Sequence, residues 1–267
     1  MPILTDYHLH TPLCRHATGP LEAYVERAIA LGLEHVGFAD HNPLPGGRGA
    51  DVRMPEEALD GYVERVIDLR RAYRGQIDVK LGLELDYVAE LDDYLARQVA
   101  AYPWDYIIGS IHYLDSACTL GAWSRRLALD ADACYRRYFD LLRGMLGSGL
   151  CDVVAHFDVP KRSGRFPGHA VADDLRQTLA EMAGAGICLE INASGYRHEE
   201  LPSPQPYPDW PIVEQALALK VPLVVNSDAH APDQVGTRFA EIGDVLRDRG
   251  CRQLVKFERR QRTFYAL

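Results

Sequence analysis

Short apolar runs rich in Val and Ile alternate along the chain with longer stretches whose apolar residues recur every three to four positions. The short runs predict strands at Ile3 to Tyr7, His35 to Ala39, Ile77 to Leu83, Tyr106 to Ile111, Asp152 to Ala155, Ile187 to Ile191 and Pro222 to Asn226. Each leads into a polar or glycine-containing turn, and their nearly continuous apolar character suits strands covered on both faces. The longer stretches predict helices at Leu21 to Leu31, Glu56 to Tyr73, Leu91 to Ala101, Asp132 to Leu146, Ala172 to Ala183, Pro211 to Leu219 and Pro232 to Arg249. In the first of these, Leu21, Val25, Ala28 and Ile29 form one stripe, Pro20 pre-sets the opening turn and Gly32 suits a left-handed closing residue. Alternating strands and crossover helices imply a parallel α/β sheet, and seven such units favour closure into a barrel over an open sheet. No repeat or low-complexity linker divides the chain, so residues 1–267 read as one domain. Leu201 to Pro211, with five prolines in eleven residues, predicts a stiff extended connector.

Charge narrows the partners. The chain has 29 Lys and Arg against 38 Asp and Glu, a formal charge of -9, which repels a polyanion and argues against nucleic acid. The basic run Lys256 to Arg262 therefore reads as a packing or solvated segment. Six dispersed cysteines without a C-x-x-C pair fit a reducing cytoplasm, and Cys14 reads as a packing residue. The first residues have no basic and apolar leader pattern, and no apolar run approaches the ~20 residues of a membrane span, so a cytoplasmic chain without membrane insertion is expected.

Candidate chemistry follows from where the histidines fall. Six of ten, His8, His10, His41, His112, His156 and His230, lie at or just beyond the carboxyl end of a predicted strand. In a β/α barrel those ends converge on one face. Strand parity points His8 and His10 to the same side, and Asp228 and His230 repeat that spacing. Imidazole and carboxylate are the usual ligands of Zn, Fe and Mn, so these two pairs together suffice for a four-ligand site. Glu84 and Asp86 follow the third strand, and His16 can fold back over the same face. Asp40 and Asp6 read as carboxylates that orient neighbouring imidazoles. His35, His169 and His198 read as surface or supporting residues.

The motifs Asp6-Tyr7-His8-Leu9-His10-Thr11-Pro12-Leu13-Cys14-Arg15-His16-Ala17, Phe38-Ala39-Asp40-His41, Gly82-Leu83-Glu84, Gly109-Ser110-Ile111-His112-Tyr113, Ala155-His156-Phe157-Asp158 and Asn226-Ser227-Asp228-Ala229-His230 resemble the polymerase-and-histidinol-phosphatase (PHP) superfamily. Within it, the chain is most similar to the monofunctional histidinol-phosphate phosphatase branch. The resemblance implies a distorted (β/α)7 TIM-like barrel and three divalent transition metals. It assigns His8, His10, Glu84 and Asp228 to one ion, His16, His41 and His230 to a second, and Glu84, His112 and His156 to a third. Two further segments resemble that branch: Asp158-Val159-Pro160-Lys161-Arg162-Ser163-Gly164 and Asn192-Ala193-Ser194-Gly195-Tyr196-Arg197. They make Lys161, Arg162, Asn192, Ser194 and Arg197 candidate contacts to a small phosphate ester. The pattern departs at Ala193, which stands for Thr, and at Asn226, which stands for Gly, while Leu114 to Asp130 matches no pattern of the branch.

The implied reaction is hydrolysis of L-histidinol phosphate, a late step of histidine biosynthesis, by a metal-bridging hydroxide. Arg197 would neutralise the phosphoryl oxygens, Asp228 or His230 would serve the leaving alkoxide, and Glu199 or Glu200 would meet the cationic amine. Alternatives are another phosphatase or a phosphodiesterase or exonuclease on the same scaffold, and a non-catalytic metal-binding module. A metal-dependent amidohydrolase would carry a bridging lysine on the fourth strand, and Tyr106 to Ile111 has none.

Overall fold

The computed structural model describes residues 2–115, 122, 130–164, 167–197 and 204–267. Its seven-stranded parallel sheet runs in sequence order: β1 (Thr5–Leu9), β2 (His35–Phe38), β3 (Asp78–Asp86), β4 (Tyr106–Ser110), β5 (Val153–Val154), β6 (Cys188–Asn192) and β7 (Leu223–Asn226). The connecting helices are α1 (Leu21–Ala30), α2 (Leu59–Ala72), α3 (Asp92–Ala101), α4 (Ala131–Ser148), α5 (Ala172–Ala185), α6 (Trp210–Ala218) and α7 (Phe239–Asp248). The barrel is nearly closed. Between β1 and β7 it is joined by a parallel bridge, Leu9 to Ala229, with His10 N–H donating to Ala229 O at 2.9 Å and Ala229 N–H to His8 O at 3.0 Å. Lower down, side chains take over the ladder: Asn226 Oδ1 accepts from Tyr7 N–H at 2.8 Å and Asp6 Oδ1 from Ser227 N–H at 2.9 Å. Asp6 thus holds the β7 turn rather than the His8 imidazole, a correction to its expected role.

The apolar stripes of the helices pack on the outer face of the sheet, with Val25 and Ala28 of α1 and Val63 and Val66 of α2 all buried there. A smaller cluster, including Tyr7, Tyr106, Ile108 and Val224, packs separately from it. A register shift between Asp6 and Leu9 gives β1 one residue more than β2, so Tyr7 joins this smaller cluster while Leu9 packs with the outer one. The chain then ends in an antiparallel hairpin, β8 (Gln253–Glu258) and β9 (Gln261–Ala266), which adds Val255 and Phe257 to the same cluster. That hairpin was not expected from the apolar pattern, yet it contains the basic run. Lys256 pairs with Glu34 and Arg260 with Asp152, so these charges pack the hairpin onto the barrel.

Two helices differ from expectation for identifiable reasons. Glu56–Ala58 forms a separate 3-10 turn ahead of α2. The last predicted helix breaks, because Gly236 and Arg238 take positive φ of 67° and 61° and only Phe239–Asp248 continues as α-helix. β3 also runs longer than its apolar stretch, through Asp86, because its two acids are buried at the mouth. Most of the stretch 114–130 lies outside the described residues.

Candidate metal centre

The strand ends bring the predicted ligands together. Both oxygens of Glu84, in β3, face imidazoles from several strands. Oε2 lies 3.5 Å from His8 Nε2, 3.6 Å from His10 Nε2 and 2.8 Å from His41 Nδ1. Oε1 lies 3.1 Å from His156 Nε2 and 3.7 Å from His112 Nε2. Asp228 Oδ1 approaches His10 Nε2 at 3.2 Å and His8 Nε2 at 3.9 Å. Ligand atoms of His8, His10 and Glu84 fall within 4.8 Å of one another, as do those of His16, His41 and His230. Asp86 joins a further such group with His41, Glu84 and His112, and Cys14 one with His10 and His230. His156 and Asp228 hold left-handed backbone, φ 29° and 54°, conformations that non-glycine residues retain where the surroundings over-determine them.

Buried acceptors fix the imidazoles. Glu190, fully buried in β6, accepts from His8 Nδ1–H at 2.7 Å and Asn226 Nδ2 at 2.8 Å through Oε1, and from His156 N–H and Asn192 Nδ2, both at 2.9 Å, through Oε2. A carboxylate only accepts, so the His8 proton sits on Nδ1 and Nε2 faces the cluster. Asp86 accepts from His112 Nδ1–H at 2.7 Å and from Ser110 Oγ–H at 2.9 Å. Asp40 does orient an imidazole, but that of His10, 3.3 Å from Nδ1, while it takes only the backbone N–H of its neighbour His41. His16 Nδ1–H and His230 Nδ1–H donate to the carbonyls of Cys14 and Asp228, which leaves their Nε2 atoms 2.9 Å apart.

This arrangement fits cations. Burial would raise the Glu84 carboxyl, yet His41, His8 and His112 hold it well below the usual carboxylate range. Burial would likewise raise Asp228, and His8 and His10 hold it far down. His8 is opposed by burial but pushed well up by Glu190, Asp228 and Glu84, so this cage of acids favours positive charge at its centre. His8 Nε2 and Glu84 Oε2 are buried and have no hydrogen-bond partner among the described residues. Orphaned donors of these two types, aimed at one point, are what a divalent transition metal accepts.

A cavity of about 670 Å³ opens over the cluster. Arg162, Ser194 and Arg197 line it, with Asp51, Arg53 and Tyr113 from other loops. Arg197 also donates to the carbonyls of Ser227 at 3.0 Å and Asp228 at 2.6 Å, holding the turn that carries Asp228. Asn192 and Lys161 do not line it. Asn192 Nδ2 lies 3.2 Å from Asp228 Oδ2 and so positions a candidate ligand. Lys161 is buried on Asp158 at 3.0 Å, on Asp209 and on the Pro206 carbonyl at 2.8 Å, so its ammonium secures the proline-rich connector instead of facing the mouth. That connector is further pinned by a two-way backbone pairing of Tyr207 with Asn192, at 2.7 and 2.9 Å. Glu199 and Glu200 lie outside the described residues, as does His198. His35 sits at the opposite end of its strand on Tyr7, and His169 is exposed.

Sequence reasoning missed Glu190 and Arg53. Glu190 had a signal, as the single charge in the apolar strand Cys188–Asn192. Arg53 had none: it is recruited from a loop, buried against Asp86 and 3.1 Å from the Tyr113 hydroxyl.

The PHP domain family model matches residues 6–194. A protein named "Probable histidinol-phosphatase" from Deinococcus radiodurans is 36% identical over 257 residues, covering 93% of this chain and 95% of that one. The histidinol-phosphatase of Bacillus subtilis is 29% identical, covering 88% and 96%. The solved histidinol phosphate phosphatase of Lactococcus lactis, in complex with Zn, L-histidinol and phosphate, superposes with TM-score 0.73 at 18% identity, covering 97% of this chain and 98% of that one. The matched span ends before Asp228 and His230, but the barrel it defines is the one these two residues complete, and the chain belongs to the PHP domain family.

Proposed function

We propose that the protein is a metal-dependent phosphomonoesterase that hydrolyses L-histidinol phosphate to L-histidinol and inorganic phosphate. The observation that carries this reading is the convergence of His8, His10, Glu84, His156 and Asp228 beneath a cavity that Arg162 and Arg197 also line. The relatives' names supply the substrate. We read three divalent ions, of Zn, Fe or Mn, in the sets given by the resemblance: His8, His10, Glu84 and Asp228; His16, His41 and His230; Glu84, His112 and His156. Such ions lower the pKa of coordinated water and offset phosphate charge.

The chain's own residues do the rest. Arg162, exposed and without an ion partner among the described residues, presents its fork to the phosphate oxygens. Arg197 shares that task and holds Asp228 through the backbone. Ser194 Oγ, 3.2 Å from Asp228 Oδ2, steadies the same carboxylate. We read Asp228 or His230 as the group that serves the leaving alkoxide. A bounded cavity and a formal charge of -9 favour a small ester over a nucleic acid. No described helix is long and apolar enough to cross a membrane, and we place the reaction in the cytoplasm. We also read residues 1–267 as one barrel domain, since the C-terminal hairpin shares the cluster of Tyr7 and Tyr106.

The test is metal analysis of the purified protein with a phosphate-release screen over histidinol phosphate, other phosphomonoesters and short single-stranded DNA. Two to three transition-metal equivalents are expected, with release from histidinol phosphate fastest and abolished by chelation. Protein free of bound metal, or preference for DNA, would overturn the reading.

A further inference from the structure

Charge is distributed unevenly around the cavity. Arg162 and Arg197 reach it from the turns after β5 and β6, whereas Asp51 and Val52 reach it from the loop after β2. In a ring of seven strands ordered as in the sequence, β2 stands across from β5 and β6, so these two groups face each other over the metal ligands. Four carboxylates line the cavity: Asp51, Glu84, Asp86 and Asp228. Glu84 and Asp228 are held by imidazoles and Asp86 by Arg53. The Asp51 carboxylate is exposed and has no hydrogen-bond or ion partner among the described residues.

Its neighbour is as unusual. Val52, 38% exposed, is one of three large apolar side chains left open among the described residues, and of these it alone lines the cavity. The loop is held in place. Gly49 has φ +66°, and a Cβ there would sit 2.5 Å from the Tyr113 hydroxyl, so the backbone rests directly on a residue that Arg53 anchors.

We propose that Asp51 determines specificity for the alcohol half of the substrate, taking the ammonium group of an amino-alcohol phosphate while Val52 and Tyr113 cover its flat ring. The arginines opposite hold the phosphate, so the ester lies along a charge axis across the mouth. This assignment rests on the phosphatase reading above and deepens it.

The experiment compares kcat/KM for L-histidinol phosphate with that for the same ester lacking the amine, so any loss common to both cancels. The unaltered enzyme favours the amine-bearing ester, and Asp51→Asn lowers that ratio about tenfold or more. Asp51→Lys inverts it, and Asp51→Glu restores part of it. Calorimetric binding of L-histidinol against its deamino analogue reads the same ratio without turnover. If the enzyme hydrolyses both esters and the ratio is unmoved in Asp51→Asn, the assignment of Asp51 is wrong and the phosphatase reading stands. If it hydrolyses neither ester, the phosphatase reading itself fails and this inference goes with it.

Discussion

Arg162 and Arg197 occupy one wall of the cavity but are tied to it differently. Arg162 has no ion partner among the described residues, whereas Arg197 grips two carbonyls of the turn that presents Asp228. Arg162→Ala is therefore expected to raise KM at least tenfold with metal content intact. Arg197→Ala should lower both turnover and metal content, which kinetics paired with elemental analysis would separate. Glu190 is the more hidden case. Its two oxygens take four donors, among them the ring of His8 and the backbone of His156. Glu190→Gln cannot satisfy all four, and metal affinity should fall about 10- to 100-fold in a chelator competition. Unchanged affinity would show that His8 is held by packing alone. The departure at Asn226 has its explanation here too. Its amide bridges Tyr7 N–H and Glu190, so it closes the sheet and supports a ligand at once.

Among elements, the strands are tied together by one large interior residue. Tyr106 of β4 donates its hydroxyl to Tyr7 O at 2.6 Å, and its ring lies against Gly37 and Gly82, where any Cβ would collide with it. Gly82→Ala should cost about 1–3 kcal/mol in chemical denaturation, through overpacking. All seven strands and the helices that follow them were legible because burial on both faces writes an apolar run and burial on one face writes a stripe. Boundaries were less legible where chemistry overrides that rule. β3 continues through Glu84 and Asp86, whose polarity hides their burial, and α7 starts late because Gly236 and Arg238 turn the chain left-handed. The hairpin escaped notice because Phe257 and Val255 are its two apolar contributions to the barrel cluster and β9 is largely exposed. The candidate ligands stood out because they are rare residue types placed at strand ends. Of the residues that support them, Asp40 was legible beside His41, whereas Arg53 was not, since it comes from an irregular loop whose course no periodicity describes.

At the scale of the whole molecule, the two ends of the barrel answer to different conditions. At the end away from the metal ligands, burial lowers His35 to about 4, with Lys80 and Lys256 adding to it. The unfolded chain takes up that proton first, so the folded state loses stability as pH falls from about 6.5 towards 4, and His35 contributes nothing to the slope above that window. His35→Gln should flatten this part of the stability profile, measured by denaturation at a series of pH values. At the other end, removing metal would take away the cations that these buried carboxylates and imidazoles converge on, and a lower melting temperature is expected for the chelated protein. The join between the first and last strands explains why this loss would not be local. His8 and His10 stand on one side of it and Asp228 and His230 on the other, with one backbone bridge between them. An ion shared across that line would act as a rivet, reinforcing the bridge and side-chain bonds that close the ring. Amide hydrogens of His10 and Ala229 should accordingly exchange faster once the protein is demetallated, ahead of those in β3 and β4, and the barrel would come apart along that seam first.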